Sequence, residues 1–289
     1  MKLKITFLID NTVYLQNLKA EHGLSVMLEF SKEKILFDCG QSEAVLDNAK
    51  NLNINLMDIS KIVLSHGHYD HSGGLLSVLK YINREINIFA HPAIFGKKYV
   101  AKNSLSNIDL DSKRYIGIPY SQKTYEKHGA LFNLNPSSVY LSKDIILSGW
   151  IPRENDFEKV EDEFVKEIDN NRSGNCLIHD EVDDDNTIIV NDSDGLIIIS
   201  GCAHSGIINI VNRAIDLTKK RRIKAIIGGL HLNSKNDYYV NQTISVLKKY
   251  DIDLIIPAHC TGLSAMCKLR EAFNEKCIFG SVGKSLLIN

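Results

Sequence analysis

The stretch Ser65-His66-Gly67-His68-Tyr69-Asp70-His71-Ser72-Gly73-Gly74 sets three histidines and an aspartate within six residues, between an apolar run and a pair of glycines. Ile62, Val63 and Leu64 ahead of it read as a short buried strand, and Leu75, Leu76, Leu79 and Ile82 behind it recur at helical spacing. Ser72 is placed to cap that helix, so the block sits on a strand-to-helix turn. There His66 and His68 can converge on one cation, while Asp70 and His71 point elsewhere and are placed to serve a second. Neutral imidazoles and a carboxylate suit zinc, iron or manganese, and such a site leaves a position open for water. A solitary histidine is ordinarily a surface or hydrogen-bonded core residue. Four metal-capable side chains at this spacing call for another explanation.

The rest of the chain bounds what this turn can serve. At 289 residues it can bury a sizeable core. Its 34 Lys and Arg against 35 Asp and Glu leave a net charge of -1, so no global field draws it to nucleic acid or anionic lipid. The apolar run from Leu3 to Ile9 is short for a signal peptide and reads as a first strand, and no stretch approaches the ~20 apolar residues of a membrane span. Six scattered cysteines are then expected as reduced thiols and the protein as cytoplasmic.

Leu3 to Ile9, Leu24 to Phe30 and Lys34 to Phe37 read as successive strands, followed by a short helix over Ser42 to Asn51 and, past the ligand block, a strand over Ile86 to Ala90. From about 92 to 139 the pattern dissolves among Tyr99, Tyr115, Tyr120 and Tyr125, with Pro92 and Pro119 as breakers, and reads as an insertion or lid. Ile145 to Leu147 is another strand. Glu154 to Asn171, dense in both charges, reads as a solvated loop or exposed helix. The second half repeats the grammar, with paired strands over Thr187 to Val190 and Gly195 to Ser200. Strands over Ile223 to Ile227 and Leu254 to Ile256 then alternate with helices over Gly206 to Lys219, Tyr239 to Lys249 and about Leu263 to Asn274, and short strands near Ile278 and Leu286 close the chain. Strands meeting strands and then alternating with helices, twice over, predict two sheets packed face to face with helices outside.

Three later segments carry a histidine just past an apolar strand: Ile197-Ile198-Ile199-Ser200-Gly201-Cys202-Ala203-His204, Ala225-Ile226-Ile227-Gly228-Gly229-Leu230-His231, and Leu254-Ile255-Ile256-Pro257-Ala258-His259-Cys260-Thr261-Gly262. Strand ends of this kind gather along one rim of a sheet, where layered α/β folds form their sites.

The His-x-His-x-Asp-His block resembles the signature of the metallo-β-lactamase superfamily. Together with Gly-Cys-Ala-His, Gly-Gly-Leu-His and Pro-Ala-His-Cys-Thr-Gly it is similar to the branch named for 7,8-dihydropterin-6-methyl-4-(β-ribofuranosyl)aminobenzene-5′-phosphate synthase. The resemblance runs from Asp38 to His259. It implies an α/β fold, the four-layer αβ/βα sandwich, as one domain over residues 1–289, and a centre of two divalent metal ions with zinc as the first choice. The wider superfamily's Thr-Pro-Gly-His and Gly-Asp turns are missing here, and Cys202 stands where the bridging aspartate of the Gly-Asp turn would fall. By this resemblance His204 is the preferred third ligand beside His66 and His68, with His179 as the alternative, and Cys202 is either a ligand or a small buried residue. His259 closes the second ion with Asp70 and His71. His231 is left to bond a substrate oxyanion or phosphate, to move a proton, or to serve as a structural histidine. Asp38 would orient a metal-bound imidazole, or be a plain turn aspartate.

Two cations in such a cradle acidify a bound water to about pKa 7. The resulting expectation is a hydrolase of a small phosphoester or related ester, with Asp70 both ligating and accepting the nucleophile's hydrogen bond. A synthase in which a carbon nucleophile replaces water is the competitor, and a non-catalytic metal- or ligand-binding protein the reading of another class. A small, phosphorylated molecule is the expected partner, with neither nucleic acid nor membrane.

Overall fold

Burial along Leu3 to Ile9, where Lys4 alone is exposed, and unbroken burial along Leu196 to Ser200 both require sheets covered on two faces. The computed structural model describes residues 2–101, 113–170 and 174–289. The first half runs β1 (Leu3–Ile9), β2 (Ser25–Phe30), β3 (Lys34–Phe37), α1 (Ala44–Asn51), β4 (Lys61–Val63), α2 (Tyr69–Ser72), α3 (Leu75–Ile82), β5 (Ile86–Ala90), β6 (Lys98–Val100), β7 (Arg114–Tyr115), α4 (Gln122–Glu126) and β8 (Ala130–Leu134). The second runs β9 (Val139–Ser142), β10 (Ile145–Leu147), β11 (Phe164–Asn170), β12 (Gly174–His179), β13 (Thr187–Asp192), β14 (Gly195–Ser200), α5 (Ile207–Thr218), β15 (Ile223–Gly229), α6 (Asp237–Leu247), β16 (Ile255–Ala258), α7 (Leu263–Phe273) and β17 (Ser285–Ile288).

One sheet has the order β17-β1-β2-β3-β4-β5-β8 and the other β16-β15-β14-β13-β10-β9. Between them lies a core of Ile5, Phe7, Val26, Phe37 and Val63 against Ile188, Ile197, Ile199, Ile227 and Ile256. The outer face of the first sheet packs on α1 and α3 through Leu36, Ile62, Val45 and Leu79, and that of the second on α5, α6 and α7 through Ile198, Ile226, Val211, Leu247 and Leu269. This is the four-layer αβ/βα sandwich. Strands β3, β4, β5 and β8 are mutually parallel, as are β14, β15 and β16, so each group delivers its C-terminal loops to one rim. Among the described residues no helix is long and apolar enough to cross a membrane.

Three local expectations are corrected. Ser72 does not cap α3, whose N-cap is Gly74; Ser72 lies inside the single turn α2 and its hydroxyl donates back to His68 O at 2.8 Å. The charge-dense stretch Glu154–Asn171 contains the strand β11, and Glu158 is buried, accepting from the Ile208 and Asn209 amides at the start of α5 (2.9 and 3.0 Å). Charge density along a sequence does not reveal which charges find buried partners. Near Ile278 there is a single bridge between Cys277 and Ile255 rather than a strand.

Part of the stretch read as an insertion or lid, residues 102–112, lies outside the described residues. Of the remainder, α4 leads into β8, which extends the first sheet parallel to β5, while β6 and β7 join β11 and β12 in a small third sheet. The chain just past β7 touches the ligand block directly, for Tyr69 N donates to Ile116 O at 2.9 Å and His68 bridges Gly117.

Candidate metal centre

Each chemistry-bearing turn leaves a buried strand at this rim: His66 to His71 after β4, Cys202 and His204 after β14, His231 after β15 and His259 after β16. Gly67 separates the first two histidines because a Cβ there would stand 2.2 Å from Ile94 O, and its amide donates to Asp184 Oδ2 at 2.7 Å. Asp38, Ala203, His231 and His259 all adopt left-handed backbone conformations, with φ of 58°, 60°, 50° and 48°. Non-glycine residues hold such angles where the surrounding structure overdetermines them, as it does at sites.

The structure brings His66, His68 and His204 into one cluster. His66 Nε2 lies 3.0 Å from His68 Nδ1, and the His204 ring centroid is 4.8 and 4.9 Å from theirs. Two ligands about 2.0–2.1 Å from a tetrahedral ion stand roughly 3.3 Å apart, close to this spacing. A second cluster surrounds Asp70 Oδ2, with His259 Nε2 at 3.3 Å, His71 Nε2 at 3.7 Å and His22 Nε2 at 3.2 Å; His71 Nε2 and His259 Nε2 are 3.1 Å apart. Cys202 stands between the clusters, its Sγ 3.1 Å from His71 Nε2. His179 lies elsewhere, bonded to Glu181 Oε1 and Glu161 O.

The ring nitrogens facing away from the clusters are tied to acceptors. His71 Nδ1 donates to Asp38 Oδ2 at 2.7 Å. Ser65 Oγ donates to the same oxygen at 2.7 Å and so accepts from His66 Nδ1 at 2.9 Å. His259 Nδ1 donates to Asn11 Oδ1 at 2.8 Å. Each bond fixes a tautomer and aims the remaining lone pair inward.

These residues fit a pair of metal ions. Both nitrogens of His204 are buried without a hydrogen-bond partner, a costly state that coordination through one of them relieves in part. Burial pushes His66 and His204 well below the ordinary histidine pKa and His68 down to about 3, so their lone pairs are free at neutral pH. Burial alone would raise the Asp70 carboxyl, but His71, His22 and His259 hold it well below the usual carboxylate range.

Asp38 braces both clusters, one through His71 and the other through Ser65 and His66. Asp38→Asn is therefore expected to weaken both metal equivalents about 10–100-fold in a chelator competition; unchanged affinities would remove Asp38 from this role.

The site opens on two cavities. The larger, of about 460 Å³, has a polar side of Asp10, Asn11 and Glu161 and an apolar wall that includes Leu263, Met266 and Phe279. The smaller includes Tyr69, Phe164 and Arg114. His231 lines both, its ring 4.2 Å from that of His204 and its Nε2 3.1 Å from Glu161 Oε2. Burial works against a protonated His231, yet the Cys260 sulfur and the Glu161 carboxylate hold its pKa up at about 10. His22, Asn11 and Glu161 escaped the sequence reading. The first two sit in loops distant in sequence from every ligand turn, and the last is hidden in a run of charges; a histidine against a glycine at the entry to an apolar strand was the one available signal.

A family model described as the metallo-beta-lactamase superfamily matches residues 18–259. An uncharacterized protein of Methanocaldococcus jannaschii is 37% identical over 97% of this chain and 98% of its own length. The 7,8-dihydropterin-6-methyl-4-(beta-D-ribofuranosyl)-aminobenzene-5'-phosphate synthase of the same organism is 35% identical over 89% of this chain and 86% of its own. Among solved structures, Tm1679, described as a metal-dependent hydrolase of the beta-lactamase superfamily, superposes with a TM-score of 0.82 at 26% identity, covering 98% of both chains.

Proposed function

The chain belongs to the metallo-beta-lactamase superfamily, and from that premise we propose that it is a metal-dependent hydrolase of a small phosphoester or related ester. The observation that carries this reading is the pair of adjoining donor clusters, His66/His68/His204 and Asp70/His71/His259, which reach the smaller cavity through His68, Asp70, His204 and His259, with His259 also lining the 460 Å³ one. Two divalent ions held there, zinc before iron or manganese, would supply Lewis acidity and a water acidified to about pKa 7. Asp70, kept ionised, orients the attacking oxygen by accepting its hydrogen bond. His231, kept protonated, offers a cationic ring to an anionic oxygen of the substrate. Among the described residues Arg114 is the one lysine or arginine lining the two cavities, which favours an anion on its side and an uncharged organic group against Leu263, Met266 and Phe279.

The 35% identity to a synthase over most of both chains favours a second reading. In it the same residues steady a phosphate leaving group while a carbon nucleophile attacks. Turnover of small phosphoesters in ¹⁸O-labelled water separates the two. Hydrolysis places one solvent oxygen in the products for each bond broken, whereas condensation yields a joined organic product without it. Ligand binding with no metal-dependent turnover of any phosphoester would instead leave a binding protein.

A further inference from the structure

The residues Glu21-His22-Gly23-Leu24-Ser25, leading into β2, are each tied to the surroundings of the second cluster. Glu21 Oε1 accepts from the Gln41 and Ser42 amides at 3.0 and 3.2 Å, which anchors the loop. Gly23, at φ +154°, passes so close to the ligand turn that a Cβ would stand 2.4 Å from Asp70 O, and Leu24 N donates to that same carbonyl at 3.2 Å. Ser25 Oγ donates to Asp38 O at 2.8 Å. His22 is thereby held over Asp70, its Nε2 3.2 Å from Oδ2 and its side chain 54% exposed where both cavities begin.

A single amide decides what His22 does there. Asn11 Oδ1 accepts from Gly23 N at 3.1 Å and from His259 Nδ1 at 2.8 Å. With its oxygen so committed, the amide turns Nδ2 toward His22 Nδ1, 3.4 Å away, as a donor. The two histidines beside Asp70 are sorted into opposite tautomers. His259 keeps a free Nε2 lone pair, while His22 carries its hydrogen on Nε2 and meets the carboxylate as a donor. Ligation through His22 Nε2 would demand hydrogen on Nδ1, setting two donors against each other at Asn11.

We propose that His22 is a positioning residue for the second metal ion: it does not ligate, and its Nε2–H holds the Asp70 carboxylate in the orientation that meets His71 and His259. This rests on the binuclear reading above. A loose carboxylate would have to be ordered when the ion binds, and that cost falls on the second equivalent, because among the described residues no hydrogen bond or ion pair joins His66, His68 or His204 to His22's partners Asp70 and Asn11.

The test is stepwise metal binding by chelator competition on the whole chain, with the absorption spectrum of the cobalt(II)-loaded form as a second readout. His22→Ala is expected to weaken the second equivalent about 10–100-fold and leave the first unchanged. The fully loaded cobalt spectrum keeps the wild-type bands, and His22→Gln, whose amide can present an N–H to Asp70, recovers most of the affinity. Because His22 is exposed, both variants retain the fold, checked by circular dichroism. A second equivalent in His22→Ala within twofold of wild type overturns the proposal. So does a cobalt spectrum that has lost a nitrogen ligand with no recovery in His22→Gln, since His22 would then ligate. If the wild-type chain takes up one equivalent only, the binuclear reading fails and takes the proposal with it; two equivalents bound alike by wild type and His22→Ala defeat the proposal alone.

Discussion

Asp70→Ala is expected to keep one metal equivalent and to lose turnover of a generic phosphodiester by about 10³-fold or more, roughly 4 kcal/mol of transition-state stabilisation. The size follows from how many interactions converge on one oxygen. Asp70 Oδ2 has His22, His259 and His71 nitrogens at 3.2, 3.3 and 3.7 Å, and among the described residues it is the only carboxylate in either cluster. Alanine leaves the second ion with neutral imidazoles and removes the acceptor that orients the nucleophile, while His66, His68 and His204 stay as they were. Metal analysis of the dialysed variant beside its steady-state kinetics checks both halves of the expectation. Turnover within tenfold of wild type would take Asp70 out of the mechanism, and loss of both ions would show that the two clusters cannot be filled independently.

Lys98→Met is expected to cost about 3–5 kcal/mol of stability, the ordinary consequence of stranding buried charge. Lys98 is buried on β6 and ion-pairs with Asp184, with Asp180 3.4 Å from its Nζ. Burial by itself would lower the lysine pKa, but Asp184 and Asp180 raise it, so the ammonium is retained. The other oxygen of Asp184 receives the Gly67 amide, between His66 and His68. The pair therefore bears on the ligand turn as well as on the core. Urea unfolding of the metal-free chain measures the loss, and the Lys98→Met/Asp184→Asn double variant should recover a large part of it, because Asp180 still has Lys166 at 3.5 Å. A single-variant cost below about 1 kcal/mol would mean that the pair is not desolvated in the way its burial implies.

The layered fold was legible because its signals are local. The apolar runs of β1 and β14 and the 3.6-residue spacing in α3 and α5 each lie within a dozen residues, and the boundaries read from them fall within a few residues of those observed. The elements that escaped, β6 to β9 with α4, and β11 and β12, are short or rich in charged and polar residues, and the strands among them depend on partners elsewhere: β11 pairs with β6, more than sixty residues earlier. Glu158 and Glu161 escaped for the same reason, being charges whose meaning is the partner across the fold.

The candidate site divides along the same line. The sequence by itself singled out the candidate site residues that announce themselves by spacing or by a strand-end turn, His66, His68, Asp70, His71, Cys202, His204, His231 and His259, together with the family they mark. Only the tertiary structure decided how they group. It set His204 with His66 and His68, put Cys202 between the clusters, left His179 bonded to Glu181 and the Glu161 carbonyl, and brought His22 to the carboxylate of Asp70 with Asn11 behind it. The physical reason is that a metal donor set is closed in space by atoms about 3 Å apart, whereas the chain between those atoms runs for up to two hundred residues. Local pattern can show that a residue is able to bind a metal; which neighbours it meets, and which tautomer those neighbours impose, exists only once the sheets have packed.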